Sequence, residues 1–166
     1  MATTSTSTID ERLANWLRAH GIPYEPHPHP LAYTALATAR AEGVEPRTFA
    51  KVVGVRTAAG RVALAVIDAA DVLDMAKVAE LIGERVRLLT EAELSAATPD
   101  WEVGAVPPIP LLAGAQVFAD EAVRTDPQIS FNAGSHRVAV RVDRAAWEEA
   151  AEITYGDLAR RSEPTG

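Results

Sequence analysis

The sequence predicts a mixed α/β (α+β) domain, and three observations carry that reading. Phe49 to Arg56, Arg61 to Ile67 and Val138 to Val142 have the alternating or continuously apolar character of strands. Ile9 to Leu17 and Val72 to Ile82 place apolar residues at helical intervals and lie between or before those strands. No repeat with a period of about 20–50 residues is visible, and the phosphate-loop and dinucleotide glycine fingerprints are absent.

The chain has 166 residues, enough for one domain with a sizeable core. Residues 9–160 are expected to form it, between a Thr/Ser-rich disordered tail (1–8) and a polar C-terminal tail (161–166). With 48% hydrophobic and 23% charged residues, the composition is that of a soluble globular protein. No apolar run is long enough to span a bilayer, and the N-terminus has neither a basic flank nor an apolar core, so no membrane association is expected. The absence of cysteine excludes disulfides, thiolate nucleophiles and Cys-ligated metals, and fits a cytoplasmic home. A net charge of −7 argues against a surface that grips nucleic acid broadly. Residues 47–89 carry seven basic and five acidic groups, however, so an anion contact belongs in that middle third.

Along the chain, Thr8-Ile9-Asp10-Glu11 has capping-box spacing and opens a helix that Gly21 stops. Prolines at 23, 26, 28 and 30 hold the next segment extended. His27 and His29 fall on one side of it, but with no third ligand nearby they predict a polar strand or loop rather than a metal site. Thr34 to Glu42 is alanine-rich and helix-favouring. Two strands follow, Thr48–Arg56 and Arg61–Ile67, with Ala58-Ala59-Gly60 as their turn. Asp71 to Ile82 reads as a helix ended by Gly83, and Arg85 to Leu89 as a strand. Thr90-Glu91-Ala92-Glu93 is a second capping box. Gly104 to Pro110 is a stiff apolar loop, Gln116 to Phe118 a short strand, and Asp120 to Arg124 a helical turn. Gln128 to Phe131 is a strand, Asn132 to His136 a glycine turn, and Asp143 caps a last helix bearing Trp147. The tail after Leu158 is expected to fray.

Three places could carry chemistry. The chain has fourteen arginines but two lysines, and Lys51 sits in the apolar strand entry Phe49-Ala50-Lys51-Val52-Val53. A compact ammonium there can meet a phosphate or carbonyl oxygen; the competing reading is a snorkelling edge-strand lysine. In Phe131-Asn132-Ala133-Gly134-Ser135-His136, glycine permits a turn whose N–H groups face a developing negative charge; the competing reading is a hairpin whose polar residues only satisfy the turn. Ser135 and His136 are adjacent, so along a strand they point apart, and no third group or nucleophile elbow supports a triad. The rigid Gly104–Pro110 loop could form a pocket wall or an ordinary connection.

In order and spacing these motifs resemble the YbaK/ProX aminoacyl-tRNA deacylase family, relatives of the editing domain inserted in bacterial prolyl-tRNA synthetases. The resemblance runs from about Thr34 to Leu158. It implies a mixed, barrel-like β-sheet flanked by helices, and hydrolysis of the ester joining a wrong amino acid to the 3′ end of a tRNA. It implies a pocket lined by Lys51, by the loop with Gly104, Pro107 and Pro108, and by Asn132, Ala133, Gly134, Ser135 and His136. Lys51 would face the terminal phosphate or the ester, the Gly134 backbone would stabilise the oxyanion, and His136 would orient the substrate. Water or a ribose hydroxyl would act as nucleophile, with no metal or cofactor. The implied partners are mischarged aminoacyl-tRNA and an aminoacyl-tRNA synthetase. Val52 stands where alanine-specific members carry Asn, and Ile109-Pro110 where many continue Phe-Gly. The rivals are a non-catalytic small-molecule or protein-binding module on the same fold, and hydrolysis of another small ester.

Overall fold

The computed structural model describes residues 9–28, 49–97, 101–102, 105–110 and 115–160. The expected helix over Thr34–Glu42 and both tails lie outside them, as do His29, Thr48 and Gly104. In order, the described elements are α1 (Glu11–Ala19), β1 (Glu25–Pro28), β2 (Ala50–Thr57), β3 (Val62–Asp68), β4 (Val72–Leu73), α2 (Met75–Ile82), β5 (Val86–Leu88) and α3 (Glu91–Ala97). Then follow β6 (Gln116–Asp120), a 3₁₀ turn (Glu121–Thr125), β7 (Gln128–Ser135), β8 (Val138–Asp143), α4 (Arg144–Ala150), β9 (Thr154–Gly156) and β10 (Ala159–Arg160). This is the mixed α+β architecture that the sequence predicts.

A five-stranded mixed sheet, ordered β5-β2-β3-β6-β9, and a three-stranded sheet, β1-β8-β7, form the body. The larger sheet combines antiparallel β2–β3 and β2–β5 pairs with parallel β3–β6 and β6–β9 pairs. A parallel bridge between Phe49 and Ser130 ties the start of β2 to β7 and links the two sheets. Alternation along the strands sets two cores. Leu64 and Val66 of β3, Phe131 of β7 and Val140 of β8 bury between the sheets with Leu13, Trp16 and Leu17 of α1 and Trp147 of α4. On the other face, Val55, Ala63, Ile67 and Phe118 pack with Val78 of α2 and Leu158.

Local signals explain most boundaries. The Thr90/Glu93 capping box forms reciprocally: Thr90 N–H donates to Glu93 Oε1 at 2.9 Å and Glu93 N–H to Thr90 Oγ1 at 3.1 Å. Asp143 accepts from Ala146 N–H at 2.9 Å, and Gly83 ends α2 at φ 86°. Two starts differ from expectation. The cap of α1 is Asp10, which accepts from Leu13 N–H at 3.1 Å. The second helix begins at Met75 behind Asp74, because Val72–Leu73 are taken up as β4.

The chain beyond Leu158 does not fray at once: Ala159 and Arg160 pair with Leu73 and Val72. Asp120, fully buried, explains this. Its Oδ1 accepts from the N–H groups of Leu158 (2.9 Å) and Ala159 (3.2 Å), and its Oδ2 from Ala122 N–H (3.1 Å). Lys77 reinforces the strap, donating to the Ala159 carbonyl at 3.2 Å and pairing with Asp157 at 3.0 Å. Asp120→Ala is expected to cost on the order of 3 kcal/mol by orphaning these donors, read as a lower urea midpoint, with Asp120→Asn losing less because one acceptor oxygen remains.

Candidate active site

Lys51 leaves β2 on the same face as its cross-strand partner Ile67, away from the inter-sheet core. Its half-buried ammonium donates to the backbone carbonyl of Asp71 at 2.9 Å and makes no ion pair among the described residues. Desolvation pulls its pKa below the ordinary lysine value, and the Asp71 charge only partly opposes that shift. An ammonium has three donors, so two protons remain for an anionic or carbonyl oxygen.

Strand register places other polar groups on the same surface. His27 of β1 and Asn132 of β7 are both opposite Ala139 of β8, so all three side chains share a face. The Phe49–Ser130 bridge sets β2 beside β7, and two residues further along each strand stand Lys51 and Asn132. Phe49, Ala69 and Ala139 bury together beneath this row. Asn132 is 5% exposed, and its Oδ1 has no hydrogen-bond partner among the described residues.

The glycine stretch adopts a different form from the expected turn. β7 runs through it to Ser135, with a register shift between Asn132 and Ser135, and the turn proper is His136–Arg137. Gly134, at φ 90°, is needed for close packing: a Cβ there would lie 2.9 Å from Trp101 Cδ1 and 3.0 Å from Asp10 Cβ. Gly134 N–H donates to the Ala105 carbonyl (2.9 Å), and Gly134 O accepts from Glu102 N–H (3.0 Å). The N–H of His136 donates to Glu102 Oε1 at 2.6 Å. Two of the backbone donors expected to meet an oxyanion are therefore committed within the protein. Ser135 Oγ accepts from Arg137 N–H at 3.1 Å, the geometry of a hydroxyl that satisfies a turn.

The same bonds show that the proline loop and the glycine stretch meet. Ala105 follows directly on Gly104, which itself lies outside the described residues, and the loop is anchored further on where Trp147 Nε1 donates to Pro108 O at 2.7 Å. Val106, Pro107, Pro108 and Ile109 are buried, and Ala133 faces the inter-sheet core beside them. His136 is buried at the end of this junction. Structure thus groups Lys51 with Asn132 and His27, and Gly134 to His136 with the loop; Asn132 lies two residues from Gly134 and connects them. Trp101 and Glu102 were not singled out from sequence, although an indole and a carboxylate directly before the glycine-proline loop are the one available signal. Among the described residues no three His, Asp or Glu side chains gather as a metal site.

Comparison with known proteins gives the arrangement a family. The chain aligns structurally with the hypothetical protein APE2540 at a TM-score of 0.83 and 23% identity, covering 90% of this chain and 100% of that one. A protein described as a candidate trans-editing enzyme for prolyl-tRNA synthetase aligns at 0.80 and 21% identity, covering 96% and 99%. At these identities both show a shared fold. No curated protein matches the chain. The profile of the aminoacyl-tRNA editing domain matches residues 29–150, most of the chain's length and all of the strands and loops just described from Phe49 to Asp143. The chain belongs to the aminoacyl-tRNA editing domain family.

Proposed function

We propose that this protein is a free-standing deacylase that hydrolyses the ester between a wrongly attached amino acid and the 3′ end of a tRNA. The observation that carries the reading is Lys51: a desolvated ammonium that, among the described residues, commits one proton to the Asp71 carbonyl, on a row with an amide oxygen that has no hydrogen-bond partner there, in a chain of the editing family. Water attacks the carbonyl carbon, either directly or after the ribose hydroxyl beside the ester has taken over the acyl group, and the water oxygen leaves in the carboxylate of the freed amino acid. The carbon–oxygen bond to the ribose then breaks, and the ribose oxygen takes a proton. With Gly134 and His136 N–H committed to Ala105 and Glu102, charge at the carbonyl oxygen falls to Lys51. The packed junction of Gly134, Trp101 and the loop through Pro107 and Pro108 fixes the pocket wall, with Ala133 behind it and His136 closing its end. Such rigidity suits rejection of a larger correct amino acid, since one methylene in a pocket is worth only about 1–3 kcal/mol. The activity needs no metal, runs in the cytoplasm, and serves a synthetase such as prolyl-tRNA synthetase, the enzyme named for one structural relative.

Release of free amino acid from mischarged tRNA tests the activity. Ser135 separates this mechanism from a serine hydrolase. Ser135→Ala is expected to keep deacylation within about 3-fold of wild type, whereas loss of a true nucleophile removes several orders of magnitude.

A further inference from the structure

The carboxamide of Asn132 is buried in a strand, at 5% exposure, yet Oδ1 accepts no hydrogen bond among the described residues. Buried amide oxygens are nearly always satisfied, so an unsatisfied one beside Lys51 marks a place where a ligand supplies the donor. Its surroundings narrow the kind of donor. Asn132 shares its face with Ala139 and His27, and it and Lys51 each stand two residues beyond the Phe49–Ser130 bridge on their own strands. Ala139 and Ala69, both small, are buried with Phe49 beneath the row. An aminoacyl adenosine end offers two donors near its ester, the α-ammonium and the vicinal ribose hydroxyl. A second cation beside the Lys51 ammonium is repelled, whereas a neutral hydroxyl is not.

We infer that Asn132 accepts a hydrogen bond from the ribose hydroxyl vicinal to the ester, so that it recognises the tRNA end rather than the amino acid. The inference rests on the editing reading above. Asn132 thereby holds the hydroxyl and the ester in one orientation toward Lys51, and discriminates ribose from deoxyribose ends whatever amino acid is attached.

The test pairs Asn132→Leu with the mischarged tRNA that the wild-type protein hydrolyses fastest, ending either in adenosine or in 2′-deoxyadenosine aminoacylated at the 3′ oxygen. Replacing an unsatisfied buried amide with an apolar group of similar size is expected to leave Tm unchanged or raised. On the ordinary tRNA the variant is expected to lose roughly 10- to 100-fold in kcat/KM, with little further loss on the deoxy end. A variant as fast as wild type, or losses that multiply independently, overturns the assignment. So does a loss that vanishes when the amino acid is N-acetylated, which transfers the contact to the α-ammonium. Wild-type inactivity on every mischarged tRNA overturns the editing reading and this inference together; activity with an unaffected Asn132→Leu overturns this inference alone.

Discussion

Lys51→Ala is expected to lower deacylation by about 10²–10³-fold, the usual cost of removing one donor to a developing oxyanion. The fold should survive, because the change removes a desolvated charge, while the Asp71 carbonyl loses its lysine donor and the Asp71 charge an attractive neighbour. Lys51→Arg is not expected to restore the rate: a planar fork does not fit where a compact ammonium meets one carbonyl. The pH dependence carries a sign. Burial lowers the pKa of Lys51 in the folded protein, so the ammonium is lost at a lower pH than an ordinary lysine loses it. Activity above the spontaneous ester hydrolysis rate should fall on that alkaline limb. Across the same window the unfolded chain holds more protons at this position than the folded one, so the contribution of Lys51 to stability rises with pH. Comparing wild type with Lys51→Met over the alkaline range, by rate and by denaturation, reads both trends.

Gly134→Ala is the second large expected effect, and it acts through structure. At φ 90° an alanine is strained, and its Cβ would sit within 3.0 Å of both the Trp101 ring and Asp10. Backbone strain and overpacking together should cost about 2–5 kcal/mol. For a chain of this size that corresponds to a Tm lower by roughly 5–15 °C. The bonds through Ala105 and Glu102 hang on the same residue, so deacylation should also fall below the melting range. Thermal melts with activity measured well below Tm separate the two consequences.

These two residues show what a sequence can and cannot disclose. Lys51 stood out because lysine is scarce here and an ammonium is unusual in an apolar strand entry. Caps and stops were equally legible: Thr90 with Glu93, Asp143 and Gly83 each act within a few residues of themselves. Gly134 was legible as special, but its reason was not. A glycine read as a turn proved to be a strand irregularity packed on Trp101, a contact made across thirty-three positions of chain. The same distance hid the commitment of the Gly134 and His136 N–H groups to Ala105 and Glu102. β4, β9 and β10 have two or three residues each, too few for any period, and exist because Asp120 and β6 hold them. The row of His27, Asn132 and Lys51 depends on register between strands far apart in sequence.

The proposed activity is hydrolysis of aminoacyl-tRNA at Lys51. A panel of tRNAs, each charged with correct and incorrect amino acids, measures it directly when release of free amino acid is followed with wild type and Lys51→Ala at micromolar protein. Wild type is expected to clear at least one mischarged tRNA far faster than buffer and to spare its correctly charged counterpart, and Lys51→Ala is expected to lose that advantage. Release no faster than buffer across the panel, or an undiminished rate in Lys51→Ala, would contradict it and favour a non-catalytic binding module on the same fold.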